Sequence, residues 1–144
     1  MTHEDAGKYS AKHPAGTRPD PAIAAAIKEV AEDGRISCAV AHDLAADLEV
    51  APAEVGKTID LLEYRISKCQ LGLFGYSPDK KIVKPAETVS DELRDRLQNS
   101  AEDRKVPCSA CWEISGALGV QKIAVAGACE FLDLKVKPCQ LGAF

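Results

Sequence analysis

The sequence predicts a mainly α fold with small β wings (α+β): two duplicated winged helix-turn-helix units packed with pseudo-twofold symmetry. Three observations carry this. The chain repeats itself at an interval of 70 residues. Each repeat places apolar stripes and turn signals in the order helix, short strand, helix, tight turn, helix. Each then runs into an extended segment ending in the same string, Cys-Gln-Leu-Gly-x-Phe, at Cys69–Phe74 and Cys139–Phe144.

Residues 20–74 align with 90–144 without a gap, and 13 of the 55 positions are identical. Other positions swap within a chemical class, such as Ile36 with Val106 and Arg35 with Lys105. Upstream, His13–Asp20 resembles Lys84–Asp91 at an offset of 71. The expected organisation is an N-terminal arm at 1–19, unit 1 at 20–74, a wing return strand and inter-unit segment at 75–89, and unit 2 at 90–144. Since unit 2 lacks a return strand of its own, the arm is expected to complete its sheet and cover an open edge at Cys139–Phe144.

In unit 1, Asp20-Pro21 is a helix start, an acidic N-cap before proline at the first helical position. Ile23, Ile27, Val30 and Ala31 form its apolar stripe, and Gly34 is its stop. Arg35–Ser37 is a short strand. The second helix runs from about Cys38 to Leu48, with Ala41, Leu44, Ala45 and Leu48 inward. Glu49–Pro52 is the turn, and the third helix turns Val55, Ile59 and Leu62 inward. Tyr64–Phe74 reads as extended, Gly75–Asp79 as a turn, and Lys81–Val83 as the returning wing strand. In unit 2, Leu93 and Leu97 mark the first helix, and Ile114, Leu118, Val120, Val125 and Ala128 the helix-turn-helix. Gly119 holds the tight turn, where φ > 0 is easiest for glycine.

Val50–Phe74 reads V-x4-V-x3-I-D-L-L-E followed by L-G-L-F. This resembles the DNA-reading domains of LysR-type and molybdate-responsive (ModE-like) regulators, over about 40 residues of each unit. The resemblance implies the winged-helix fold. By analogy with that fold, the expected function is a small DNA-binding transcriptional regulator with double-stranded DNA as partner.

Charge works against a simple version of this. The chain carries 18 basic and 22 acidic residues, net −4. Unit 1 has 5 basic and 10 acidic residues, and unit 2 has 7 and 8. The outward positions of the third helix of unit 1 are Ala53, Glu54, Lys57, Asp60 and Glu63, and its acids repel phosphate. Unit 2 offers Gln121 and Lys122, with Gly127 and Ala128 allowing close approach. The DNA-binding candidates are therefore Lys57, Thr58, Gln121 and Lys122 on the third helices, and Arg65, Lys68, Lys80, Lys81, Lys84, Lys135 and Lys137 on wings and arms. The alternative is a non-enzymatic protein-interaction module or accessory subunit with a protein partner.

Six cysteines are the second conspicuous feature. Cys38 and Cys108 are equivalent, as are Cys69 and Cys139, so Cys38 with Cys69 and Cys108 with Cys139 are candidate redox pairs. Cys108-Ser-Ala-Cys111 is a C-x-x-C. With Cys129 and Cys139 it supplies four thiols, the number a zinc or iron–sulfur site uses. The competing reading is packing: Cys111 stands where unit 1 has Ala41, and Cys129 where it has Ile59, both inward. A cysteine-based redox or metal sensor is thus the second alternative. No Ser-His-Asp set, phosphate loop or carboxylate pair suggests an enzyme. No apolar run approaches the roughly 18 residues of a spanning helix. The start has no apolar core of a secretory signal. The expected location is the cytoplasm, where cysteines are thiols or ligands rather than structural disulfides.

Overall fold

The computed structural model describes residues 8–144. Among them are six α-helices and four short strands: α1 (Pro21–Val30), β1 (Arg35–Ser37), α2 (Cys38–Asp47), α3 (Pro52–Leu61), β2 (Arg65–Ser67), α4 (Asp91–Ser100), β3 (Lys105–Val106), α5 (Cys108–Leu118), α6 (Lys122–Phe131) and β4 (Lys135–Val136). A 3-10 helix at Tyr9–Lys12 precedes them. Two compact units result. Unit 1 holds the chain up to Cys69 together with Gln140–Phe144, and unit 2 holds Gln70–Cys139.

Local signals set the helix ends. Asp20 caps α1, its Oδ1 accepting the N–H groups of Ala22 and Ile23 at 2.9 and 3.1 Å. Ser37 caps α2 through the N–H of Val40, and Ser90 caps α4 through that of Leu93, each at 3.2 Å. Pro52 opens α3, where its missing N–H costs nothing. Gly119 closes α5 at φ 66°, the left-handed conformation its place in the turn requires. α1 stops at Val30, short of Gly34, and Val30 faces solvent rather than the core.

In unit 1, α1, α2 and α3 pack on one another around Ile23, Ile27, Ala41, Val55 and Ile59. In unit 2, α4, α5 and α6 do the same around Leu97, Cys111, Ile114, Val125 and Cys129. Each trio carries one two-stranded sheet, and both sheets are parallel: Arg35↔Arg65, Ile36↔Ile66 and Ser37↔Ser67 in one, Lys105↔Lys135 and Val106↔Val136 in the other. A wing hairpin would be antiparallel. Here two helices separate the paired strands, and a crossover of that length returns the chain in the same direction.

The rest of the expected wing is not strand. Of Tyr64–Phe74 only Arg65–Ser67 is, and Lys81–Val83 is not. Ile82 and Val83 both donate their N–H to the Gly72 carbonyl, at 2.9 and 3.1 Å, which closes a turn instead of a ladder. The chain also divides after Cys69 rather than after Phe74.

The arm lies in unit 1 and completes no sheet of unit 2; residues 1–7 are outside the described residues. Its polar groups go to side chains of α3 and the residues just after it. The Glu63 carboxylate accepts the N–H groups of Tyr9 and Ser10 at 3.0 and 2.8 Å. Asp60 holds Lys12 and His13, and Lys12 also donates to the Gly142 carbonyl at 2.9 Å. Backbone donors spent this way cannot form a strand ladder.

The two amides, that of Ser10 first, hold the Glu63 carboxyl below the usual glutamate range. A carboxyl depressed in the folded state stabilises at pH above its unfolded value. That contribution is lost as pH falls through the folded value. The Tyr9 and Ser10 amide resonances should therefore titrate together, with a midpoint below that of an exposed glutamate. A midpoint at the ordinary value would show that the carboxylate does not hold the arm.

Candidate nucleic-acid interface

The third helices do not present the surface a groove-reading helix needs. Thr58 is 2% exposed, and its hydroxyl donates to the Glu54 carbonyl at 2.9 Å. Lys57 lies 4.0 Å from Glu54 on the same face. Asp60, expected outward, is 1% exposed, with its carboxylate 3.3 Å from the Lys12 ammonium and 2.8 Å from His13 Nε2. Glu63 is exposed as expected, but its carboxylate is occupied by the arm. These carboxylates serve the fold of unit 1, so its charge count overstates what a polyanion would meet.

In unit 2, Gln121 is exposed at the start of α6. The Lys122 ammonium sits over the Trp112 ring, 4.6 Å from its centroid, an attraction that holds it on the protein. Ala126, Gly127 and Ala128 are buried. The Gly127 carbonyl accepts the Ala86 N–H at 2.9 Å, and a Cβ on Gly127 would lie 2.9 Å from the Lys84 carbonyl oxygen. The small-residue face expected to admit DNA is filled by residues 84–86 of the chain itself.

The wing and arm candidates fare differently. Lys80, Lys81 and Lys84 are exposed, and Lys81 is committed to Glu130 at 2.6 Å. Arg65, Lys68, Lys135 and Lys137 are exposed. The strand register sets Arg65 directly beside Arg35, and Lys135 directly beside Lys105. Side chains alternate across a strand. Ile36, Ile66, Val106 and Val136 point into the core, which turns the four basic residues to solvent. Like charges directly opposite each other cost a sheet stability. Even so, among the described residues none of these four makes an ion pair, whereas nearby Arg104 pairs with Asp133 at 3.2 Å.

Arg35 and Lys105 were absent from the sequence-derived candidates. The signal was present, since both strands of unit 1 read Arg-Ile-Ser. It becomes visible only when parallel pairing is considered in place of a wing hairpin.

None of the six cysteines is in a disulfide. Cys111 and Cys129 are buried, as their inward positions predicted, and they face each other across α5 and α6 in a thiol–thiol hydrogen bond. That bond, with burial, pushes the Cys111 thiol well above the ordinary cysteine range. Among the described residues no three His, Cys, Asp or Glu side chains are gathered so as to hold a metal ion. No described helix is long and apolar enough to cross a membrane. No family model matches the chain, and no curated protein or solved structure does either.

Proposed function

We propose that this is a small, non-enzymatic DNA-binding regulator of transcription, acting in the cytoplasm, that grips the phosphate backbone with paired basic strands. One observation carries the reading: each unit sets two basic side chains side by side in strand register, Arg35 with Arg65 and Lys105 with Lys135, and among the described residues none of the four is in an ion pair, although Glu32 and Glu102 bridge to Arg35 and Lys105 through the backbone. Such a pair costs roughly 0.2–1 kcal/mol in the isolated fold. A phosphate lying between the two cations removes that repulsion, and a guanidinium presents the planar fork that phosphate oxygens fit. Lys68 and Lys137, just beyond β2 and β4, extend the same positive edges. The two units are read as duplicated helix-turn-helix units whose wing has become a parallel strand pair. The ungapped repeat and the shared element order support this.

A second reading, a protein-interaction module, is favoured by Phe131, which ends α6 with 44% of its surface exposed. Titrating a fluorescent random-sequence duplex at low ionic strength separates the two. The wild type should bind. The Arg35→Ala/Arg65→Ala and Lys105→Ala/Lys135→Ala variants should each lose about tenfold or more, while Lys57→Ala should not. Equal affinity for wild type and both double variants would reject the strand-pair surface. No binding at all would leave the interaction module.

A further inference from the structure

The cysteines of unit 2 are placed differently from those of unit 1. Cys139 is partly exposed, whereas its counterpart Cys69 is buried. Cys108 is the first residue of α5, and its N–H donates to the carbonyl of Pro138, the residue bonded to Cys139, at 3.0 Å. Just before it, the Lys137 N–H donates to the Val106 carbonyl at 2.8 Å. Cys108 and Cys139 therefore leave the same end of the β3–β4 pair, clamped by consecutive backbone hydrogen bonds. Continuing the β3–β4 register sets Cys108 beside Pro138, one residue from Cys139, and a disulfide needs its two Cα atoms within about 4.4–6.8 Å.

We propose that Cys139 and Cys108 form a thiol–disulfide exchange site that takes a low-molecular-weight disulfide. The Cys139 thiolate attacks one sulfur of the incoming disulfide, whose S–S bond breaks. One thiolate leaves, and a mixed disulfide remains on Cys139. The Cys108 thiolate then attacks the Cys139 sulfur, the mixed bond breaks, and the second thiolate leaves. The chain loses two electrons and two protons and gains one Cys108–Cys139 bond; the substrate is reduced to two thiols. Cys111 and Cys129 take no part, because they are buried. In unit 1 the equivalent pair is closed, since Cys38 and Cys69 are both buried. None of this rests on the DNA reading.

The test is to incubate the reduced full chain, folded, with oxidised glutathione and map its peptides without reduction. The wild type should give a Cys108–Cys139 bridge and release two thiols per bridge. Cys108→Ser should trap glutathione on Cys139 and release one. Cys139→Ser should leave Cys108 unmodified, while Cys111→Ala and Cys129→Ala should still bridge. A wild-type chain that carries glutathione on Cys139 without bridging, or that bridges Cys108 to Cys111, would overturn the proposal.

Discussion

Gly56→Ala should cost about 3 kcal/mol of stability, near the upper end for overpacked positions. Gly56 lies inside α3, and an added Cβ there would run into the Leu141 main chain, nearest to its carbonyl oxygen. Neither side has a flexible group that can turn away. Either α3 shifts or the Gln140–Phe144 segment is expelled from unit 1, which exposes Leu141, itself 1% exposed in the fold. At roughly 2–4 °C per kcal/mol for a chain of this size, the midpoint of thermal unfolding should fall by about 6–12 °C. Gly116→Ala is the matched control. Gly116 is also inside a helix, but nothing lies within 4 Å of its added Cβ. There alanine should stabilise by about 0.5–1 kcal/mol through helix propensity. The same substitution should thus have opposite signs in α3 and α5, read by circular dichroism on heating. A shift of less than about 2 °C for Gly56→Ala would show that α3 and the terminal segment are not in contact.

Asp60→Ala is the second large effect, expected at about 1–3 kcal/mol. The carboxylate is buried, whereas its partners are not: the Lys12 and His13 side chains keep 25% and 20% of their exposure. On loss of Asp60 both side chains can turn to water, which keeps the cost below the roughly 3–5 kcal/mol of stranding a buried charge. The reverse deletion lacks that escape. Lys12→Ala/His13→Ala leaves the carboxylate buried without either partner, so it should cost at least as much as Asp60→Ala. Lys12→Ala alone should cost about 1 kcal/mol or less, because His13 remains at 2.8 Å. Urea denaturation of the three variants gives the order. A larger loss for Lys12→Ala than for Asp60→Ala would contradict this account of the arm.

Several local signals in the sequence are followed by the structure. Asp20-Pro21 starts α1, Gly119 ends α5 at positive φ, and Ile23, Ile27, Val55 and Ile59 lie inward at helical spacing. Cys111 and Cys129 are core residues, as their alignment with Ala41 and Ile59 suggested. What was illegible depends on segments far apart in the chain. The third helix of unit 1 looked one-sided by periodicity, but the arm and the Gln140–Phe144 segment cover a second side of it. Asp60 is buried under Lys12 and His13 of the arm for that reason, whereas Thr58 lies three residues from Val55 on the inward face. Gly127 was legible as a place of close approach, and only the approaching group differed: residues 84–86 rather than a ligand. Charge counts cannot separate a carboxylate facing solvent from one holding backbone amides, so the acidity of unit 1 looked more repulsive than its geometry makes it. The basic pairs were hidden because parallel register joins residues 30 apart.

The central claim is that paired basic strands hold phosphates, and the salt dependence of duplex binding measures it most directly. Each neutralised phosphate contributes a slope of about −0.9 to the dependence of log affinity on log salt. Four contacts, from Arg35, Arg65, Lys105 and Lys135, predict a slope of about −3.6 for the wild type. Removing either pair should bring it to about −1.8. A wild-type slope near zero, or one that the double substitutions leave unchanged, would contradict the account.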